Sequence, residues 1–129
     1  MLPQYIQHCQ ALKESLVKLR NTLEQAESNS TDLKSDHRQV QQSFRQVTSL
    51  SSDLLTLELA AQVGAYQTEI NKQLRLVGTD LTFLQAARQQ NTFAQRQGQI
   101  AQRLEIMVDY CNTLLQMLGK DGAEGSDGL

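Results

Sequence analysis

Leu2, Tyr5, Cys9, Leu12, Leu16, Leu19, Leu23 and Ala26 follow one another in alternating steps of three and four. That is the a/d spacing of a helix that buries one seam against its neighbours. Pro3 suits the first turn of such a helix, where its missing N–H has no helical partner to lose. Beyond it, Ser28-Asn29-Ser30-Thr31-Asp32 collects five poor helix formers that are good caps. Yet Leu33, Val40, Phe44 and Val47 keep the register of Leu2 to Ala26, with only Ser30 and His37 as polar interruptions. Composition argues for a turn and register for continuity, so both readings stand. If unbroken, the helix runs to about residue 50 as a rod of roughly 70 Å at 1.5 Å per residue.

Ser51-Ser52-Asp53 supplies the next helix start, and from about Leu57 to Gln90 the apolar positions Val63, Tyr66, Ile70, Leu74, Val77, Leu81 and Leu84 again repeat by threes and fours. Asn91-Thr92 interrupts the pattern, and Thr92 with Gln95 matches a capping box. The helix it would open carries Phe93, Ile100, Leu104, Met107, Cys111, Leu114 and Leu118 in one stripe and is expected to stop at Gly119, a natural C-cap. Short connections make sequential helices antiparallel neighbours. The expected fold is all-α: an elongated antiparallel bundle of three or four long helices with coiled-coil-like seams.

Composition supports this picture. The 129 residues include 20 Leu and 19 Gln, both good helix formers, against one Pro and no Trp. Residues 1–118 read as a single helical domain. Residues 119–129 hold four of the seven glycines together with Asp121, Glu124 and Asp127 against Lys120, and read as a disordered acidic tail. The formal charge of -2 resides in that tail. A neutral body has no general electrostatic reason to coat nucleic acid, which is therefore not favoured as a partner. Met1 to Gln10 lacks the basic residues and apolar core of a signal peptide, and the densest apolar run, Leu54 to Ala61, is broken by Thr56 and Glu58. A cytoplasmic protein without membrane insertion is expected. Cys9 and Cys111 lie far apart without CxxC spacing, which fits a reducing compartment and gives no metal framework.

The chemistry of catalysis is missing from the motifs. No HExxH, glycine-rich phosphate loop, GxSxG or ExxH pair occurs. His8 and Cys9 are adjacent and would point about 100° apart on a helix, while His37 and both cysteines fall on inner positions. The chain is expected to be no enzyme and to need no cofactor. Between Lys72 and Arg103 five bases (Lys72, Arg75, Arg88, Arg96, Arg103) face one acid, Asp80, and the connection near Asn91 lies inside that interval. This predicts a basic hairpin tip and a candidate surface for an acidic partner. Gly64, Asn71 and Gly78 share one helix face, where a second helix could approach closely. If the first helix is continuous, its Tyr5, Cys9 and Leu12 seam overhangs the second and calls for a second copy, so a homodimer is expected.

The run Tyr66-Gln67-Thr68-Glu69-Ile70-Asn71-Lys72-Gln73-Leu74-Arg75-Leu76, continuing through Asp80, Phe83-Leu84-Gln85-Ala86-Ala87-Arg88, Gln95-Arg96 and Tyr110-Cys111, resembles the PatD family of cyanobacterial heterocyst frequency control proteins. The likeness covers roughly Leu50 to Leu118. It implies a regulator of cell division and heterocyst differentiation that binds the tubulin-like division protein FtsZ and promotes its assembly. Two other classes fit the residues alone: a coiled-coil adaptor or scaffold with another protein partner, and a binder of anionic surfaces or nucleic acid that uses the basic tip.

Overall fold

The computed structural model describes residues 2–25, 32–50 and 57–126. Four helices follow in order: α1 (Leu2–Glu24), α2 (Asp32–Ser49), α3 (Leu57–Ala86) and α4 (Gln90–Ser126). Cross-helix contacts fix their directions. Tyr5 of α1 meets Gln67 of α3, and the opposite end of α1 meets α4 where Gln97 donates to the Leu23 carbonyl and Arg20 pairs with Glu105. The Tyr66 and Tyr110 rings meet between α3 and α4 with centroids 5.6 Å apart and planes tilted by 59°. The helices therefore alternate up, down, up, down, with α1 and α3 on one diagonal.

Each helix turns its three-and-four stripe inward. Tyr5 to Leu23 on α1, Leu33 to Val47 on α2, Val63 to Leu84 on α3 and Ile100 to Leu118 on α4 form one continuous core. Burial of these stripes, more than the propensity of any single residue, holds helices of this length in water.

The continuous first helix is thereby excluded. α1 and α2 are separate helices lying against each other, joined at Thr22 Oγ1, which donates to Asp36 Oδ2 at 2.5 Å, and at Lys18 Nζ, 3.7 Å from Asp36 Oδ1. The caps expected at residues 28–31 and 51–53 lie outside the described residues. The four-helix arrangement also puts Cys9 and Cys111 at one level, both buried and near enough for Cys9 to disfavour ionisation of Cys111.

Three boundaries and one surface differ from expectation. α3 ends at Ala86 and α4 begins at Gln90, with the Phe93 N–H already bonded to the Gln89 carbonyl, so Thr92 sits inside the first turn and is no cap. No Gly or Pro marks this turn; it falls where the apolar stripe lapses between Leu84 and Phe93, and a helix continued there would have little to bury. Gly119 is not a C-cap either. The α4 backbone continues as helix to Ser126 and no glycine among the described residues has positive φ. Glycine lowers helix stability by about 1 kcal/mol relative to Ala but does not forbid a helix as a mid-chain proline does, so the expected tail is helical through Ser126. Finally, Tyr5, Cys9 and Leu12 are each 1% exposed. With α1 only 23 residues long beside the 37 of α4, the chain covers this seam itself and no overhang is left for a second copy.

Candidate functional site

The interior carries little usable chemistry. Burial pushes the Cys9 thiol up to about 12, and burial together with the neighbouring Cys9 does the same for Cys111. Both are thiols, not thiolates, at neutral pH and so poor nucleophiles. The Tyr5 phenol is held well above its ordinary range by burial and then by Cys9, with its oxygen taken up by the Gln67 amide. No group of three His, Cys, Asp or Glu side chains that could hold a metal exists among the described residues. No helix among them is long and apolar enough to cross a membrane.

The five bases expected at the hairpin tip do not form one surface. Asp80 on α3 is 8% exposed, and its carboxylate accepts from Arg103 Nε at 2.9 Å and lies 3.9 Å from Arg96 Nη1. Arg103 also donates to Gln73 Oε1 at 3.2 Å, and the Arg96 guanidinium rests 4.9 Å above the ring of Phe83. Both arginines thus spend their charge inside the α3/α4 seam, positioning the two helices. Lys72 and Arg88 stand exposed, Arg88 at the connection and Lys72 well down α3. Arg75 points to the other side of α3, into a cleft shared with α2.

That cleft is an open concavity between α2 and α3. At its wide end it encloses about 630 Å³, with Arg45, Phe44 and Gln41 contributed by α2 and Arg75, Asn71 and Gly64 by α3. A second, smaller space of about 210 Å³ lies further along the same helix pair, between Lys34, His37 and Arg38 on α2 and Gly78, Leu81 and Thr82 on α3, with Gln41 lining both. Two helical stripes make its walls. Lys34, Arg38, Gln41, Arg45 and Thr48 step by four and three along α2, and Gly64, Asn71, Arg75, Gly78 and Thr82 run along the facing side of α3. Spacing along the chain picks out Arg75 and the glycine face of α3 and passes over the α2 wall. The signal was available as a basic stripe beside the apolar one, hidden because Asp32 and Asp36 interleave with it in linear sequence. In the fold Asp36 turns away to α1.

The two glycines play different parts. A Cβ on Gly78 would stand 3.3 Å from Cε1 and 3.5 Å from Nε2 of His37, so Gly78 makes room for the imidazole. His37 there bonds the Leu74 carbonyl, and its Nε2 is buried without a partner among the described residues. Burial lowers its pKa, the Leu74 bond opposing, so the ring is neutral at physiological pH. At Gly64 an added Cβ would meet nothing within 4 Å, because that stretch of α3 faces the open cleft.

Comparison with known proteins finds no match for this chain: no family, no curated protein and no solved structure. The class defined by fold and site is a four-helix bundle with a sealed core and a polar, cationic cleft on one side.

Proposed function

We propose that the chain is a non-enzymatic, protein-binding regulator that docks its partner on the α2/α3 side. The carrying observation is the open cleft between Arg45 and Arg75, beside a core whose cysteines and tyrosine are buried and unreactive. The resemblance of Tyr66 to Cys111 to PatD supplies the partner and the setting: FtsZ, whose assembly the chain would promote, in the cytoplasm of a filamentous cyanobacterium where division and heterocyst differentiation are linked. A scaffold with a different protein partner is the nearest alternative. Binding to nucleic acid or an anionic surface through the tip loses ground, because Asp80 engages two of the five bases that would make that surface.

Co-sedimentation with polymerising FtsZ tests this reading. The chain should pellet with the polymers and raise their light scattering, in both cases with modest sensitivity to salt. A chain that stays in the supernatant and leaves assembly unchanged removes FtsZ as the partner. A steep loss of binding with salt would show that exposed charge pairs, more than a packed apolar interface, carry the contact.

A further inference from the structure

Three of the four seams around the bundle contain their own cross-helix ion pair. Lys18 meets Asp36 between α1 and α2, Arg20 meets Glu105 between α1 and α4, and Arg103 meets Asp80 between α3 and α4. These are also the seams where the helices pack closely, whereas α2 and α3 touch little. The α2/α3 furrow breaks the rule: Lys34, Arg38, Arg45 and Arg75 line it, no carboxylate lines it, and none of the four cations is ion-paired among the described residues. Lys34 and Arg38 are moreover like charges at i and i+4, an arrangement that weakens a helix by a few tenths of a kcal/mol. The fourth seam is thus short of anions, and α2 carries a charge pattern that does not serve its own stability.

The floor adds a second requirement. Phe44 is 9% exposed and Leu74 4% exposed at the wide end, with amide and hydroxyl groups of Gln41, Asn71 and Thr48 above them. Gly64 leaves the α3 wall without a side chain where the cleft is widest. The complement of such a furrow carries carboxylates for the rim, backbone amides for the Gln and Asn side chains, and an apolar side chain for the floor. An acidic polypeptide segment has all three. A nucleic acid has the anions, but its one aliphatic group is the thymine methyl, which is a poor match for the floor.

We infer that the α2/α3 furrow is the docking site for an acidic, partly apolar polypeptide segment of the partner, its carboxylates set against Arg45 and Arg75 at the wide end and Lys34 and Arg38 at the narrow one. The inference rests on the protein-binding reading above and specifies the chemistry of the partner. α2 offers 18 residues, about 27 Å of wall at 1.5 Å per residue, which an extended segment spans with about eight residues at 3.3 Å each.

The test uses the full chain and a fluorescein-labelled synthetic peptide rich in glutamate with interspersed leucines, read by anisotropy. Its glutamine counterpart and a single-stranded oligonucleotide of equal length serve as the other arms. The glutamate peptide should bind, and the glutamine peptide should bind about tenfold more weakly or less. The double variant Arg45→Glu/Arg75→Glu should weaken the glutamate peptide by about tenfold or more, while Lys72→Glu/Arg88→Glu, which changes bases outside the furrow, should stay within about twofold. All four positions are exposed, and an unchanged circular dichroism spectrum certifies each fold. The proposal is overturned if the glutamate peptide fails to bind, if it binds the furrow variant as well as the wild type, or if the oligonucleotide competes equally. FtsZ pelleting separates this from the parent reading. If the furrow variant still pellets with FtsZ like wild type, the furrow is not the FtsZ site and the proposal falls while the regulator stands. If the peptide binds in the furrow but the wild type never pellets with FtsZ, the furrow stands and FtsZ is the wrong partner.

Discussion

α3 has two flanks of similar residue types and opposite outcomes. On the flank facing α4, Arg96 and Arg103 converge on Asp80, Phe83 lies beneath Arg96, and the Tyr66 ring packs at a tilt against Tyr110. On the flank facing α2, Arg75 and Arg45 line an open cleft, Gly64 leaves room that a larger side chain would fill, and His37 reaches the α3 backbone in the space left by Gly78. The difference is one buried carboxylate together with side-chain volume. Where both are supplied the helices close and the arginines become structural; where both are withheld the helices part and the arginines are left for solvent or a partner. A basic residue in such a bundle is therefore interpretable only with its seam.

Truncating the two flanks unequally gives the largest expected effect. Leu84 and Leu81 are three residues apart on α3, Leu84 fully buried and Leu81 5% exposed at the narrow end of the cleft. Leu84→Ala should cost about 3–5 kcal/mol, because it leaves a closed void. Leu81→Ala should cost about 2 kcal/mol, the low end of such losses, since its void opens to the furrow and fills with water. Urea unfolding of the two variants measures the gap. Equal losses would mean that the α2/α3 side is as tightly packed as the rest of the bundle.

Asp80→Ala should come next, at about 1–3 kcal/mol, because it leaves Arg103 and Arg96 without their acceptor at a seam that is mostly shielded from water. A cycle with Arg103→Ala apportions the pair: the double variant should lose less than the sum of the single losses. Additive losses would show Asp80 and Arg103 to be independent and would remove the contrast between a neutralised and an open flank.

These comparisons also mark what could be read from the linear chain. The inward stripes were legible, since spacing by three and four names the buried residues whatever the topology, and Tyr5, Ile70 and Leu104 all lie where their register put them. Whether α1 runs on to residue 50 was not legible, because a turn that happens to preserve heptad phase looks the same as continuity; only the packing of Thr22 on Asp36 distinguishes them. The end of α3 was misplaced by four residues because Ala86 to Gln90 contains only helix formers and the break is imposed by the lapse of the core. The basic tip failed for a related reason. Asp80 and Arg103 are 23 positions apart, so their pairing belongs to the fold and is invisible to a count of charges along the chain.

The smallest effect is the most discriminating, because the two glycines of α3 differ in nothing but surroundings. Both lie in helix interiors without positive φ, so alanine at either should gain roughly 1 kcal/mol from helix propensity alone. At Gly64 that gain should appear in full, since the added methyl meets nothing within 4 Å. At Gly78 the methyl would press on His37 at 3.3 Å and strain the bond from the ring to the Leu74 carbonyl, which should cancel the gain or reverse its sign. Thermal melts of Gly64→Ala and Gly78→Ala measure the difference. A Gly78→Ala variant as stabilised as Gly64→Ala would mean that the imidazole yields freely and that His37 does not fix the spacing of α2 and α3.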